Sequence, residues 1–574
     1  MMAAGMLAAT SCTDFADYNE TPVDQTAAGN QTLWENISQN PLLSDFAALV
    51  QQSGYDATLN TSRSLTVWAP VNGTFSVADY QGLDKEALLT QFVKGHIAEY
   101  GHAASGKIDE RVHMLNKKSF TFEGDGSYTF DGLPINRVNL PSTNGIMHLM
   151  DGAANFYPNL YEYLKTGEGF DSLRNHFMHY EYTYLDPSAS VMGPMVNGVQ
   201  TYIDSVMVTV NTLVNQLNAR ISNEDSSYTF IMPTDKAFME MYNRVKPYYN
   251  FIGTTKMHDV ESYTSATDTK TKTATVNAAY MADSLVRRHI VRNLIYSNND
   301  MYNQWIVGNG EYTDTMRTTT RTKFSNPGDI LGATVGEPVL LSNGYARLVD
   351  SLAFYPWETY CPDLEYPMYR YLANLFPASA QINRRTVVGA NGSKLTAIFG
   401  PDTELTEYTY GWISPGGDRA KPDFCVSLPD VMSTTYNFYV VFMPSALLAD
   451  DARPNWLNFQ LNYCDAKGNT QVYNFSKAYA DALKAGDKLP AVPSKVDGTT
   501  AFVNNPEKTD TVFIGQFTFP VNYRGLEDIY PSIRVTSPIS VFNSSQLATY
   551  TRDVRIAAFL LRPVELEEFE AKNK

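Results

Sequence analysis

The stretch SLTVWAPVNGTF, from Ser64 to Phe75, has a close counterpart in SSYTFIMPTDKAF, from Ser226 to Phe238. Each is a short, mostly apolar run that stops at a proline, which cannot donate a hydrogen bond to a β-ladder. Asn72 or Asp235 follows two residues later and can cap the following turn by accepting a backbone N–H. Because alternate side chains point to opposite faces and both faces are apolar, we expect each strand to lie inside a sheet covered by helices.

The segments after these strands repeat in the same order. A helical pattern comes next and contains His96 in the first copy and His289 in the second. An Asn-Gly dipeptide, at Asn144 and again at Asn343, then predicts a tight turn before another strand. The second copy is longer mainly because of a Thr- and Lys-rich stretch, Gly253–Ala278, which indicates a surface insertion, either a β-hairpin or a mobile loop. An ordered set of motifs that occurs twice indicates a duplicated fold.

Helix-forming patterns surround both strands. Apolar residues recur near every third or fourth position in Thr32–Tyr55 and Asn159–Tyr182, upstream of the two strands. Similar patterns run through Leu88–Tyr100 and Ala282–Tyr296 downstream of them. Each pattern predicts an amphipathic helix packed on the sheet.

This order of motifs resembles the fasciclin domain family, FAS1. The family's first motif, an apolar strand running into Ala-Pro-Thr-Asn-x-Ala-Phe, is similar to both copies, and its last motif, Asn-Gly-Val-Ile-His-Val-Ile-Asp, is similar to NGIMHLMD and, more loosely, to NGYARLVD. The sequence departs from the family at Gly95 and Arg288, where the family has a tyrosine before the histidine. The resemblance implies two fasciclin-like domains, residues 32–155 and 156–355, the second carrying the polar insertion.

Residues 356–574 follow a different pattern, with apolar residues alternating along strands. Gly, Asn, Asp and Pro fill the turns, and this spacing predicts an antiparallel β-sandwich of jelly-roll type. The predicted strand regions are Thr434–Pro444, Trp456–Phe475, Asp510–Tyr523, Ser532–Pro538 and Asp553–Leu566. The predicted fold class is therefore α+β, with two helix-covered β domains followed by a sandwich. The last domain resembles the C-terminal sandwich that follows fasciclin repeats in surface lipoproteins of glycan-foraging Gram-negative bacteria.

Residues 1–31 resemble the end of a lipoprotein signal peptide followed by a tether. MMAAGMLAATSC consists mainly of small and apolar residues and ends at Cys12. The resemblance therefore implies cleavage before Cys12 and lipidation of this residue. No Lys or Arg precedes Cys12, and Ala9 stands where lipoboxes prefer leucine; the alternative is a buried or free cysteine. The acidic residues that follow resemble the export tag of surface-displayed lipoproteins, although a solvated linker has a similar composition: Asp14, Asp17 and Glu20.

The composition excludes several classes of protein. A net charge of −17 argues against nucleic-acid binding, because phosphates would find little positive charge to neutralise them. No apolar run approaches the 18 or so residues that a membrane-spanning helix needs. Besides Cys12 the chain has Cys361, Cys425 and Cys464, which form no Cys-x-x-Cys pair and allow at most one disulfide among the three.

The sequence contains no phosphate loop, nucleophile elbow, zinc-protease motif or EF-hand loop. His96, His289 and His148 lie among apolar residues and are interpreted as hydrogen-bonded core histidines rather than catalytic bases. His176 and His179 are spaced for one helix face, but a metal site would need a further ligand in tetrahedral geometry. We therefore predict no catalytic residue, no metal site and no cofactor.

The candidate ligand-binding residues are aromatic. Tyr408, Tyr410 and Trp412 alternate in EYTYGWISPGGD, so their rings share one face of a predicted strand. Flat aromatic rings stack on the apolar faces of sugars, while nearby acids and amides bind the hydroxyls. The alternative is that the same rings line the core of the sandwich.

Two functions remain open. The first is a non-enzymatic, lipid-anchored binding or adhesion protein of the cell surface; the resemblance implies an accessory lipoprotein of a Sus-type outer-membrane importer. Its partners would then be the outer membrane, a TonB-dependent transporter with its surface-lipoprotein partner, and a glycan or peptide ligand. The second is a surface polysaccharide hydrolase with the β-sandwich as its catalytic or carbohydrate-binding module, which would need two carboxylates within about 5–9.5 Å of each other.

Overall fold

The computed structural model describes residues 29–573, apart from residues 189, 205–206, 266, 376–380, 389–393, 487–494, 497–498 and 501. The predictions for Cys12 and the acidic residues after it lie outside the described residues. Two compact units make up the chain: the first holds residues up to Gly167 with Arg220–Phe230 and Pro338–Ala346, and the second holds Glu168–Ala219, Ile231–Glu337 and Arg347–Lys574. The boundaries expected for three domains remain a prediction. Within the described ranges, no helix is long and apolar enough to cross a membrane.

A seven-stranded sheet forms the centre of the first unit. Its strands are β1 (Leu65–Pro70), β2 (Ile97–Glu99), β3 (Lys107–His113), β4 (Ser119–Asp125), β5 (Tyr128–Phe130), β6 (Leu133–Ser142) and β7 (Gly145–Met150). The order is β2-β1-β7-β6-β5-β4-β3, and β1 runs parallel to β7. The helices are α1 (Leu33–Ser38), α2 (Ser44–Ser53), α3 (Asp56–Leu59), α4 (Ala78–Gln81) and α5 (Lys85–Gln91), with 3-10 turns at Pro41–Leu43 and Val93–His96.

Strand β1 is buried along its whole length, as the sequence predicts. Leu65, Val67 and Ala69 pack with the helices in one apolar cluster. Trp68 points the other way and packs in a second cluster with Phe122 and the rest of the sheet's distal half. The two faces of the strand are therefore covered by different layers, which explains why neither face carries a charge.

The second proline-terminated strand occupies the same topological position as the first. The remaining elements up to residue 349 are β8 (Glu181–Leu185), β9 (Val191–Val196), β10 (Val199–Asp204), β11 (Met207–Asn211), β12 (Tyr228–Pro233), β13 (Thr254–His258), β14 (Thr271–Thr275), β15 (Ile295–Ser297), β16 (Met316–Arg317), β17 (Lys323–Phe324), β18 (Val339–Leu341) and β19 (Gly344–Val349), with α6 (Leu160–Thr166), α7 (Asp171–Met178), α8 (Thr212–Gln216), α9 (Asp235–Val245), α10 (Ala278–Val291) and α11 (Pro327–Gly332). A sheet of order β15-β12-β19-β18 corresponds strand for strand to β2-β1-β7-β6.

The Asn-Gly turns make the same hydrogen bonds in both copies. The Oδ1 atom of Asn144 accepts from the Leu33 N–H at 2.8 Å, and its Nδ2 donates to the carbonyls of Leu59 and Thr61 at 2.9 and 2.6 Å. A buried amide therefore ties the start of α1 and the end of α3 to the turn before β7.

Asn343 repeats this arrangement. Its Oδ1 accepts from the Leu160 N–H at 2.9 Å, and its Nδ2 donates to the carbonyls of Ile221 and Asn223 at 2.8 and 3.1 Å. The following Gly344 has φ +135°, and a Cβ there would lie 1.9 Å from the carbonyl oxygen of Tyr228. Only glycine allows the two strands to approach this closely.

The residues after the prolines cap helices that come earlier in the chain, which corrects the prediction that they cap the following turn. The Oδ1 atom of Asn72 accepts from the Asp45 N–H of α2 at 3.0 Å. That of Asp235 accepts from the Ser172 N–H of α7 at 2.5 Å. In the second copy, Thr234 caps the following helix instead.

The polar insertion Gly253–Ala278 contains the hairpin β13–β14, which confirms the hairpin alternative. Its first strand reaches the sandwich, where the Lys256 N–H donates to the Gly468 carbonyl at 3.2 Å. Just before the insertion in the sequence, the Tyr248 hydroxyl lies 2.7 Å from both carboxylate oxygens of Glu565. The insertion thus helps to fix the sandwich within the second unit.

The C-terminal region is built from two antiparallel sheets. Its elements are β20 (Leu364–Pro367), β21 (Leu372–Leu375), β22 (Gln381–Val388), β23 (Glu407–Ser414), β24 (Asp423–Ser427), β25 (Thr435–Phe442), β26 (Trp456–Cys464), β27 (Thr470–Asn474), β28 (Lys495–Val496), β29 (Thr499–Thr500), β30 (Phe502–Val503), β31 (Asp510–Thr518), β32 (Ser532–Thr536) and β33 (Val554–Pro563), with α12 (Met368–Tyr371), α13 (Lys394–Phe399), α14 (Ser445–Ala449), α15 (Phe475–Ala485), α16 (Ser544–Thr549) and α17 (Val564–Lys572). One sheet has the order β22-β23-β33-β25-β31, with β20 also on β33, and the other has the order β21-β24-β32-β26-β27.

Aromatic rings join the two sheets face to face. Phe459 on β26 and Phe559 on β33 have ring centroids 6.2 Å apart, and Tyr463 on β26 lies 4.7 Å from Phe517 on β31. The predicted sandwich is therefore present. Each of its three cysteines is buried and free, so the disulfide that the sequence allows does not form: Cys361, Cys425 and Cys464.

Candidate ligand-binding groove

The aromatic residues singled out in the sequence lie together on β23, but helices cover them. Tyr410 is buried, and Tyr408 and Trp412 are partly buried in the same apolar cluster, which includes side chains of α13 and α14. The Trp412 Nε1 donates to the Asp553 carboxylate at 3.0 Å, and the Arg385 guanidinium lies 4.7 Å from its ring centroid. The shared face is as predicted. A role in ligand binding stays a prediction, and the packing leaves less free ring surface than an open platform would.

The core histidines have environments that suit a neutral ring. The His96 Nε2 accepts from the Ala154 N–H at 3.0 Å, and its Nδ1 lies 2.8 Å from the Phe92 carbonyl. Burial lowers the pKa of His96 and His148 to about 4. Burial, followed by the charge of nearby arginines, lowers the pKa of His289 to about 3. These values mean that all three rings are uncharged at neutral pH. His96 and His148 are hydrogen-bonded as predicted, whereas the buried Nδ1 atom of His289 has no hydrogen-bond partner among the described residues, and its ring stacks on Tyr249 with the centroids 5.2 Å apart.

His176 and His179 line a surface cleft of about 480 Å³ between three helices. Burial, followed by the charge of Arg287, lowers the pKa of His176 to about 4. Within the described part of the chain, no group of three or more His, Cys, Asp or Glu side chains is arranged to hold a metal ion. The lining residues come from α7 and the residues after it, α9 and α10: Ser172, Asn175, His176, His179, Tyr180, Met239, Tyr280, Asp283, Ser284 and Arg287.

An ion pair between two partly exposed side chains lines this cleft. The Arg287 Nε lies 3.0 Å from both carboxylate oxygens of Asp283, one helical turn earlier on α10. The Tyr242 hydroxyl on α9 donates to the same carboxylate at 2.9 Å, and the Arg287 guanidinium lies 5.4 Å from the Tyr242 ring centroid. These contacts fix the two helices and leave the cleft without a large net charge, because the carboxylate and the guanidinium balance each other.

A second cavity, of about 880 Å³, adjoins the first because Asp283 lines both. It has more apolar and aromatic surface, contributed by α9, the segment that follows it as far as Phe251, the start of α10 and loops of the sandwich. Its lining residues are Tyr242, Asn243, Lys246, Pro247, Tyr249, Asn250, Phe251, Ala278, Ala279, Ala282, Asp283, Ser433, Phe519 and Pro520. We call the two cavities together the α9–α10 groove. Both volumes fall within the range of roughly 300–1,000 Å³ that is typical of small-molecule sites.

Local sequence explains how the groove is positioned. On α9 the buried residues Phe238, Met241 and Val245 form one stripe, so the opposite face, with Met239 and Tyr242, turns outward. Asn277 caps the start of helix α10, because its side chain accepts from the Tyr280 N–H at 3.2 Å. Only the C-terminal half of α10 is buried, which leaves its first two turns to line the groove.

Sequence reasoning found only two residues of the groove, His176 and His179. The other residues of the cleft lie in three segments spread over more than 100 residues of the sequence, and no spacing within one segment indicates a shared site. One local signal was available, since Asp283 and Arg287 have the i,i+4 spacing of a helical ion pair.

Residues 41–154 match the model of the Fasciclin domain. No curated protein matches the chain significantly. Of the solved structures, the FAS1 domain pair of the insect cell adhesion molecule Fasciclin I aligns at 11% identity over 56% of this chain and 99% of that chain, with a TM-score of 0.20. The CBM22-1 xylan-binding domain of Paenibacillus barcinonensis Xyn10C aligns at 15% identity over 35% of this chain and 93% of that chain, with a TM-score of 0.18. TM-scores this low support no inference about this chain, so the family assignment applies to residues 41–154.

Proposed function

We propose that this chain is a non-enzymatic binding protein of the cell surface and that it holds a neutral glycan or peptide chain in the α9–α10 groove. The observation that carries the proposal is the chemistry of the lining, which combines aromatic rings, amides and hydroxyls with the Asp283–Arg287 ion pair and one further charged side chain, Lys246. Such a lining offers stacking surfaces and hydrogen bonds without selecting for a charged ligand. A binding role also agrees with the adhesion function generally associated with fasciclin domains.

The second proline-terminated strand supports a further part of the proposal. Because β15-β12-β19-β18 repeats the order and the buried asparagine of the first copy, we assign residues 156–355 to a second fasciclin-like domain. The groove would then be a feature of the second copy alone, since part of its wall belongs to the sandwich.

Binding is tested by screening the purified protein on glycan and peptide arrays and measuring affinities by titration calorimetry. Tyr280 is 68% exposed, and its replacement by alanine should weaken binding about 3- to 10-fold, the loss expected for one aromatic contact. Tyr312→Ala is the matched control, because Tyr312 is 63% exposed and outside both cavities. Equal affinities for the two variants would exclude the groove as the binding site.

Two further experiments separate the alternatives. Trp412→Ala should leave binding intact if the groove holds the ligand, and should abolish it if β23 does. Incubation with each glycan that binds, followed by mass spectrometry, should return the glycan intact. Cleaved products that disappear on one acid-to-amide change would favour the polysaccharide hydrolase.

Cellular location and partners belong to the same proposal. We infer an outer-membrane lipoprotein, anchored through Cys12 and facing the exterior, that serves as an accessory subunit of a glycan or peptide importer. The anchor is tested by metabolic labelling with a fatty-acid analogue, which Cys12→Ser should abolish. Detergent extraction and affinity purification should recover a TonB-dependent transporter with the protein; its absence would count against the importer role and leave the groove to be judged on binding data.

A further inference from the structure

A two-stranded ribbon, β9 and β10, has an apolar and uncharged tip. The strands pair antiparallel, with Val196 opposite Val199 and Met195 opposite Gln200. Asn197 and Gly198 both have positive φ, +53° and +79°, which is the two-residue turn favoured in tight hairpins. The ribbon therefore ends in a narrow, defined tip.

The side chains at this tip are among the most exposed apolar groups of the described residues. Met192, Met195, Val196 and Val199 are 64%, 68%, 51% and 67% exposed. Consecutive residues on a strand point to opposite faces, so Met195 and Val196 place apolar surface on both sides of the ribbon. A protein partner that covered one face would leave the other in water.

Charge is distributed along the ribbon in a way that also distinguishes the tip. No Lys, Arg, Asp or Glu occurs between Asp186 and Asp204, although 18% of the chain is charged and the net charge is −17. Polarity thus changes along the ribbon axis rather than from face to face. A bilayer surface presents the same kind of gradient, since its environment changes with depth and is equal on all sides of an inserted segment.

Insertion must be shallow for a physical reason. A two-stranded ribbon leaves outward-facing backbone groups that hydrocarbon cannot hydrogen-bond. Pro194 removes one such donor. The Thr201 hydroxyl and the side-chain amide of Gln200 donate hydrogen bonds to backbone carbonyls of β9. Tyr202, paired with Met192 at the end of the tip farthest from the turn, has the ring and hydroxyl that favour the headgroup level.

We propose that the ribbon tip, residues 192–202, inserts into the boundary between the headgroups and acyl chains of a lipid bilayer. This contact is separate from the α9–α10 groove and from acylation of Cys12. It would hold the second unit against the membrane on which the protein is anchored.

The test uses the full chain with Cys12→Ser, so that no acyl chain can contribute, and vesicles of phosphatidylcholine. The protein should float with the vesicles. Met195→Asp should reduce the bound fraction about tenfold or more, because it removes one buried apolar side chain and adds a charge. Met301→Asp is the matched control, since Met301 is also 68% exposed, and it should bind as the parent does.

A spectroscopic measurement locates the contact. The cysteines at positions 361, 425 and 464 are buried, so an environment-sensitive fluorophore can be attached selectively to Met195→Cys. Its emission should shift to the blue with vesicles, whereas the same label on Met301→Cys should not shift. The proposal is overturned if the parent protein does not float, if Met195→Asp floats equally well, or if the label at position 195 remains in water. Circular dichroism should show the parent fold in every variant.

Discussion

Replacement of Asn343 by alanine is the most direct test of the duplicated fold. The amide of this buried residue makes three hydrogen bonds to the backbone, with Leu160, Ile221 and Asn223. A typical hydrogen bond contributes about 1 kcal/mol net, and a buried partner left unsatisfied costs about 1–3 kcal/mol, so we expect a loss of about 3–5 kcal/mol in the free energy of unfolding. At about 2–4 °C per kcal/mol, the melting temperature should fall by roughly 6–20 °C.

Differential scanning calorimetry measures this effect. Asn144→Ala removes the equivalent three bonds of the first copy and should produce a fall of similar size. Asn343→Asp retains the acceptor but cannot donate to the two carbonyls, so it should destabilise about as strongly. The matched control is Asn309→Ala, at an exposed position, with an expected change within about 0.5 kcal/mol. If Asn343→Ala melted at the same temperature as Asn309→Ala while Asn144→Ala melted at a much lower temperature, the two turns would not be equivalent.

Three other perturbations follow from the structure. Gly344→Ala should cost about 2–4 kcal/mol, because its backbone is left-handed and a Cβ would collide with a carbonyl; urea unfolding measures it, and a neutral effect would contradict the strand spacing. Lys118 lies buried 2.6 and 2.8 Å from the carboxylates of Glu162 and Glu224, so Lys118→Met should cost about 3 kcal/mol, and an unchanged melting temperature would argue against the pair. Acid should destabilise the protein between pH 6.5 and 4, because His96 is neutral in the folded protein and takes up a proton on unfolding. The contribution of His96 to this loss is about 2 kcal/mol at pH 5, and urea titrations at pH 7 and pH 5 measure it. His96→Gln should reduce the difference in unfolding free energy between the two pH values.

The sequence was sufficient to predict the elements whose physics is local. The alternation in Leu65–Pro70 predicted a strand covered on both faces, and the observed division between Val67 and Trp68 confirms it. The Asn-Gly turns and the strand regions of the sandwich were also predicted from local pattern. A helix over Leu88–Tyr100 was only partly right, because the α-helix ends at Gln91 and the chain continues through a 3-10 turn into a strand at Ile97. The apolar spacing did not distinguish these outcomes, since buried helix and buried strand residues are equally apolar.

The groove could not be predicted in this way. Its polar centre depends on Tyr242 donating to Asp283 across two helices, and that distance is set by how α9 packs on α10. The predicted hydrogen-bond partner of Asn72 was wrong for a related reason. The side chain can accept from any nearby N–H, and only the tertiary fold selects the N–H of Asp45. Local rules identified the chemical groups, and long-range packing determined which groups meet.

The position of the strand Val554–Pro563 has a consequence for the order of events during synthesis. This strand is flanked on one side by Thr435–Phe442 and on the other by Glu407–Ser414 and Leu364–Pro367. A ribosome must therefore have released Pro563 before that sheet can acquire its middle, by which time every earlier segment has left the exit tunnel. Until then the unpaired edges of the neighbouring strands, which are synthesised earlier, would be exposed to chaperones and to one another.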